Sequence, residues 1–172
     1  PEIIRMQMRA IAEAAINVEK KGIKALAEVM VPLVGHVKEL AYTKAEMLDE
    51  IAQVNKERGT DWKCMVGTMI EIPRAAITAD QVASEAEFFS FGTNDLTQMG
   101  FGFSRDDSGS FLPEYVAKKI LEDDPFKSLD QQGIGELVKI AATKGRGVKP
   151  DLKLGVCGEH GGDPRSVKFF YK

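Results

Sequence analysis

Phe88-Phe89-Ser90-Phe91-Gly92-Thr93-Asn94-Asp95 decides the fold class. A short run of strand-forming residues stops at a glycine, and three residues suited to helix starts follow at once. The same change of pattern recurs on both sides. Ala25 to Val34 and Lys63 to Ile72 are apolar runs punctuated by Pro32 and Pro73, and Lys153 to Val156 ends at Cys157-Gly158. Apolar residues recur at helical spacing in between. Ile3, Ile4, Met8, Ile11, Ala15 and Val18 precede Gly22; Leu40, Met47, Ile51 and Val54 lie within His36 to Arg58, before Gly59. Arg74 to Glu87 reads as one further helix. Others are expected from Asp95, near Glu114 to Leu121, from Gly133 to Lys144 and from Pro164 onward, with an irregular segment from Gly100 to Pro113. The order α-β-α-β-α-β-α-α-β-α predicts an α/β chain with a parallel sheet under helical cover.

Composition narrows the function. The 172 residues carry 23 Lys and Arg against 26 Asp and Glu, a net charge of −3. That excludes the concentrated positive charge of a nucleic-acid-binding surface. No apolar run is long enough to span a bilayer. Two cysteines, Cys64 and Cys157, make no disulfide framework, and a reducing compartment fits them. The sequence starts at Pro1 in a helical pattern, without a targeting signal, and stops in another at Phe169-Phe170-Tyr171-Lys172. Both ends therefore read as interrupted, as in a piece of something longer.

Ligands of parallel α/β proteins bind at the carboxyl ends of the strands. Three strand ends here carry reactive residues. Glu71 sits among Met69, Ile70, Ile72 and Pro73, where an isolated carboxylate is poorly solvated. It needs either an ion pair, with Arg74 the nearest candidate, or a metal ion. Asp95, with Thr93 and Asn94 before it, makes the region rich in oxygen, as hard divalent ions such as Mg2+ require. Gly92-Thr93-Asn94-Asp95 also reads as a helix N-cap, which is compatible with anion binding. Cys157 opens a glycine-rich loop, CGEHGG. Buried cysteines are mostly inert, but a thiol that titrates near pH ~8.5 can also give or take a proton. Zinc through Cys157 and His160 lacks a second ligand pair, since His36 and Cys64 do not have the spacing. Cys64 reads as a packing residue. The residues thus point to a Mg2+-dependent site for a small anionic substrate with a cysteine proton donor, the logic of enolate chemistry.

Four stretches carry a resemblance: MVPLVG (Met30 to Gly35), GTMIEIPRAA (Gly67 to Ala76), FFSFGTNDLTQMGFGFSRDD (Phe88 to Asp107) and GVCGEHGGDP (Gly155 to Pro164). Together they closely resemble the C-terminal phosphoenolpyruvate/pyruvate-binding barrel of the pyruvate, phosphate dikinase family. Phosphoenolpyruvate synthase and enzyme I of the sugar phosphotransferase system share that barrel. GFGFSRDD and the insert ILEDDPFKSLDQQGIGELV favour the dikinases. The resemblance implies an incomplete (β/α)8 TIM barrel, with residues 1–172 part of one barrel domain holding about four βα units. It implies that Glu71 and Asp95 ligate Mg2+, and that Glu71, Gly92, Thr93, Asn94 and Asp95 contact substrate. Cys157 would be catalytic, moving the proton at the methyl or methylene carbon of the pyruvate–enolate pair. His160 does not match the family's phosphohistidine and reads as a loop or substrate-supporting residue.

The implied reaction interconverts ATP, phosphate and pyruvate with AMP, diphosphate and phosphoenolpyruvate. Its implied partners are a phosphohistidine domain and a nucleotide-binding domain of the same parent, and a second copy through the barrel. Location would be cytoplasmic, or organellar or plastid if a signal precedes the sequence. The substrate-clamping arginines of the family match nothing here, so the isolated chain is expected to be inactive. The alternatives are a synthase or enzyme I barrel, or a non-catalytic binding or dimerisation module.

Overall fold

The computed structural model describes residues 1–171. Its strands are β1 (Glu28–Val31), β2 (Met65–Ile70), β3 (Phe88–Phe91) and β4 (Lys153–Val156). They pair in chain order, β1-β2-β3-β4, and every pairing is parallel. Parallel order puts all four carboxyl ends on one rim. The sheet is open, with β1 and β4 as its edges. All four residues of β3 are buried, whereas β1 and β4 alternate between exposed and half-buried. An α/β chain with a parallel sheet is therefore the observed architecture.

The helices are α1 (Glu2–Glu19), α2 (Val37–Arg58), α3 (Pro73–Ile77), α4 (Ala79–Glu85), α5 (Thr93–Phe101), α6 (Leu112–Ala117), α7 (Ile134–Val148) and α8 (Pro164–Phe170). Capping fixes the start of α2. The His36 Nδ1 accepts from the Lys38 N–H at 3.1 Å, and Glu39 accepts from the His36 N–H at 2.7 Å. Gly59, left-handed at φ 65°, ends it. Two apolar clusters hold the layers together. Ile70, Phe89, Phe91, Leu96, Val82 and Val138 pack between the sheet, α4, α5 and α7. Met8, Ile16, Met47, Ile51, Trp62 and Val66 pack β2 against α1 and α2.

Four expectations are corrected. The single helix over Arg74 to Glu87 is two, broken at Thr78. There the hydroxyl and the N–H both bond to the Arg74 carbonyl, at 2.9 and 3.0 Å, so the side chain competes with the helical ladder. The first strand is only Glu28–Val31, because β1 pairs with β2 alone and β2 begins at Met65. The segment Gly100 to Pro113 is partly ordered into a 3-10 turn at Ser108–Ser110 and the start of α6. The rings of Phe101, Phe103 and Phe111, with Tyr115 from α6, pack at 5.0–6.1 Å, one pair stacked and the rest edge to face. The stretch near Glu114 to Leu121 is correspondingly shifted: its helix is Leu112–Ala117.

Candidate functional site

β2 delivers Glu71 one residue past its last rung. The side chain is 2% exposed, and its Oε1 accepts the Leu33 N–H at 2.6 Å from the loop after β1. Leu33 holds a left-handed φ of 55°, which costs a non-glycine residue strain and aims its N–H at the carboxylate. The Asp95 carboxylate, on the first turn of α5, lies close enough to Glu71 for its charge to act on it. Burial pushes the Glu71 carboxyl above its usual range, the Leu33 N–H opposes this, and the neighbouring Asp95 charge pushes it further up. The ion pair with Arg74 is not formed. Arg74 donates instead to the Gly35 carbonyl at 2.5 Å.

β3 delivers the second group. Gly92 continues the ladder through its N–H to the Ile70 carbonyl at 3.1 Å. A Cβ at Gly92 would strike the Glu71 carboxylate, so only glycine lets the two strand ends close up. The expected N-cap is corrected: Gly92 holds the cap position of α5, and no side chain caps the helix. The Asn94 Oδ1 accepts the Glu159 N–H at 3.1 Å instead. Thr93 is fully buried and its hydroxyl meets His160. The N–H groups of the first turn of α5 consequently have no side-chain acceptor.

β4 delivers the third. The Cys157 N–H reaches the Phe91 carbonyl at 3.1 Å, which binds the thiol loop to the end of β3. The thiol is exposed, so the reading of Cys157 as a buried, inert residue is set aside. Its Sγ lies 3.6 Å from the Phe91 carbonyl oxygen. A Cβ at Gly158 would collide with the Thr93 hydroxyl; the loop depends on this glycine for its approach. Glu159 forms an ion pair with Arg105 of the segment after α5. Cys64, by contrast, packs against the α1–α2 cluster, and burial pushes its thiol up to about 11.

The structure thus packs Glu71 against Gly92 with Asp95 nearby, and ties Thr93 and Asn94 to the loop that follows Cys157 at the adjoining strand end. Among the described residues no cluster of three or more His, Cys, Asp or Glu side chains could hold a metal. Any ion here would rest on two carboxylates. That suits Mg2+, which uses one or two carboxylates and completes its octahedron with water and substrate oxygens. Sequence reasoning missed the Leu33 N–H, the Arg105–Glu159 pair and the fully buried setting of His160. None of these has a local signal, because each joins residues at least 38 positions apart.

No helix among the described residues is long and apolar enough to cross a membrane. The family model for PEP-utilising enzyme, PEP-binding domain, matches residues 1–172. The chain is 60% identical over 173 residues to pyruvate, phosphate dikinase of Clostridium symbiosum, covering all of this chain and 20% of that protein. It is 56% identical over 170 residues to the chloroplastic enzyme of Mesembryanthemum crystallinum, covering 99% of this chain and 18% of that protein. For the chloroplastic pyruvate, phosphate dikinase 1 of Arabidopsis thaliana the identity is 58% over 171 residues, with 99% and 18% covered. The chain therefore spans about a fifth of the length of these curated relatives. Matched along its whole length, the chain belongs to the PEP-utilising enzyme, PEP-binding domain family.

Proposed function

We propose that this chain is the phosphoenolpyruvate/pyruvate-binding part of a pyruvate, phosphate dikinase, and that residues 1–172 form a single segment of a (β/α)8 barrel. The observation that carries the reading is a buried carboxylate, Glu71, packed against Gly92 with the Asp95 carboxylate nearby, on the rim where Cys157 is exposed. The high identity to dikinases favours this over a synthase or enzyme I.

Glu71 and Asp95 would hold Mg2+, which supplies positive charge where negative charge develops on the substrate oxygen. Two neighbouring carboxylates repel each other when both are ionised, and a divalent cation relieves that repulsion. The first-turn N–H groups of α5 face the substrate's anionic groups. The amide of Asn94 retains its NH2 donors, since only its oxygen is used by Glu159. Cys157 moves the proton: its thiol protonates the methylene carbon of the enolate to give pyruvate, and its thiolate removes a methyl proton in the reverse sense. The phosphoryl group arrives from a phosphohistidine elsewhere in the parent protein, which also binds the nucleotide and pairs with a second copy through the barrel. The location is cytoplasmic, or organellar or plastid where a leader precedes.

The test uses the intact protein. With Mg2+ present, Cys157→Ala should lose exchange of the pyruvate C3 protons with solvent while keeping Mg2+-dependent phosphoenolpyruvate binding by calorimetry. Exchange by this variant at the unsubstituted rate would overturn the proton role. An absence of phosphoenolpyruvate binding by the unsubstituted protein would overturn the substrate.

A further inference from the structure

His160 is fully buried, and both ring nitrogens have partners. Its Nε2 lies 2.8 Å from the Pro125 carbonyl oxygen, and its Nδ1 lies 2.7 Å from the Thr93 Oγ1. A carbonyl can only accept, so Nε2 carries the proton of the neutral ring. Nδ1 is then the acceptor, and the Thr93 hydroxyl donates to it. These two bonds fix three separate pieces of chain: the first residue of α5, the segment before α7, and the loop that carries Cys157. Thr93 is followed directly by Asn94 and Asp95. His160 lies three residues beyond the thiol, and the intervening Gly158 sits against the Thr93 hydroxyl and N–H.

We infer that His160 is a positioning residue: by accepting the Thr93 hydroxyl it sets the thiol loop in register with α5, and so aligns Cys157 with the substrate carbon. This rests on the reading of the rim as a phosphoenolpyruvate/pyruvate site. A register error of an ångström between reacting groups is enough to cost on the order of a hundredfold in rate. The effect belongs to the proton-transfer step, since His160 is sealed from solvent and both its ring nitrogens are held by protein groups.

Two substitutions separate the two bonds. In His160→Asn the amide oxygen falls near the position of Nδ1, so the Thr93 bond is kept and the Pro125 bond is lost. In His160→Gln the amide nitrogen falls near the position of Nε2, so the Pro125 bond is kept and the Thr93 bond is lost. In the intact protein with Mg2+, His160→Gln should lower kcat for pyruvate C3 proton exchange at least about tenfold with little change in KM. His160→Asn should stay within about threefold of the unsubstituted kcat. Deuterium uptake over residues 93–99 and 157–162 should rise in His160→Gln. In His160→Asn it should rise only over residues 122–128.

Equal losses in the two variants would overturn the inference. So would losses that follow the thermal midpoint, or an unchanged uptake at 93–99 in His160→Gln. If neither His160 variant folds, Thr93→Val decides: a kcat loss at an unchanged KM and thermal midpoint supports the inference, and a raised KM or the unsubstituted kcat overturns it. If the unsubstituted protein does not exchange pyruvate protons, the substrate reading fails. The deuterium uptake then still decides whether His160 sets the register.

Discussion

Glu71 is the residue on which the site turns. It is a buried carboxylate with one N–H donor and a second carboxylate as its neighbour, and no arginine neutralises it. Keeping such a group ionised works against the fold. Glu71→Gln should therefore leave the stability of the metal-free protein unchanged or higher. The same change should weaken Mg2+-dependent phosphoenolpyruvate binding at least about tenfold; thermal unfolding and calorimetry read the two effects separately. A lower thermal midpoint with unchanged binding would contradict the assignment. Gly92→Ala makes the complementary perturbation, because the added methyl meets the Glu71 carboxylate. It should also abolish metal-dependent binding, and circular dichroism should show the secondary structure retained. Residue types at strand ends were enough to nominate Glu71, Asp95 and Cys157. They could not reveal that Arg74 turns away to Gly35, since that carbonyl lies 39 positions away in sequence and only the fold brings it near.

Elements behave as their caps and packing dictate. α8 starts at Pro164 after Asp163, whose carboxylate accepts from the Ser166 N–H at 2.9 Å and the Ser166 hydroxyl at 2.6 Å. The Ser128 hydroxyl adds a bond at 3.0 Å from before α7. The Ser166 hydroxyl and then the Ser166 N–H hold Asp163 down to about 2, from an ordinary 3.8. A lowered carboxylate pKa means that the unfolded chain binds the proton more readily. The cap thus stabilises the fold above the ordinary value, and its contribution disappears as pH falls from 3.8 to about 2. Asp163→Ala should be less stable than the unsubstituted protein at neutral pH, with the difference closing over that acid window in pH-dependent urea melts. A difference that stayed constant with pH would contradict the cap. The boundaries of β3 and β4 and the Gly59 end of α2 were legible because turn and cap residues act within a few positions. The break at Thr78 was not, because the run of Ala and Val around it has a helical pattern throughout.

At the scale of the molecule, the sheet is buried at its centre and open at its sides. Phe89 is fully buried in β3, between α4 and α7, so Phe89→Ala should cost about 3–5 kcal/mol in chemical unfolding. β1 and β4 each leave one edge unpaired, beside an apolar groove with Val29 and Met30 at one side and a mixed groove with Leu154, Val156, Lys139 and Arg146 at the other. If the sheet is a segment of a closed barrel, the outward amides of β1 and β4 should be protected from hydrogen exchange in the intact protein. They should exchange rapidly in this chain alone. Equal protection in both would contradict closure.

The sequence by itself determined the alternation of strands and helices, the parallel class of the sheet, and which residues stand at the strand ends. Those properties follow from side-chain periodicity and from turn and cap chemistry, which are local and survive in a linear reading. Only the tertiary structure decided which ends touch. The register of β2 against β3 and of β3 against β4 sets Glu71 against Gly92, near Asp95, and the thiol loop against Thr93. Likewise, the left-handed turn at Leu33 and the burial of His160 depend on distances between segments far apart in sequence. Such contacts arise from how whole layers pack, and no short stretch of residues encodes them.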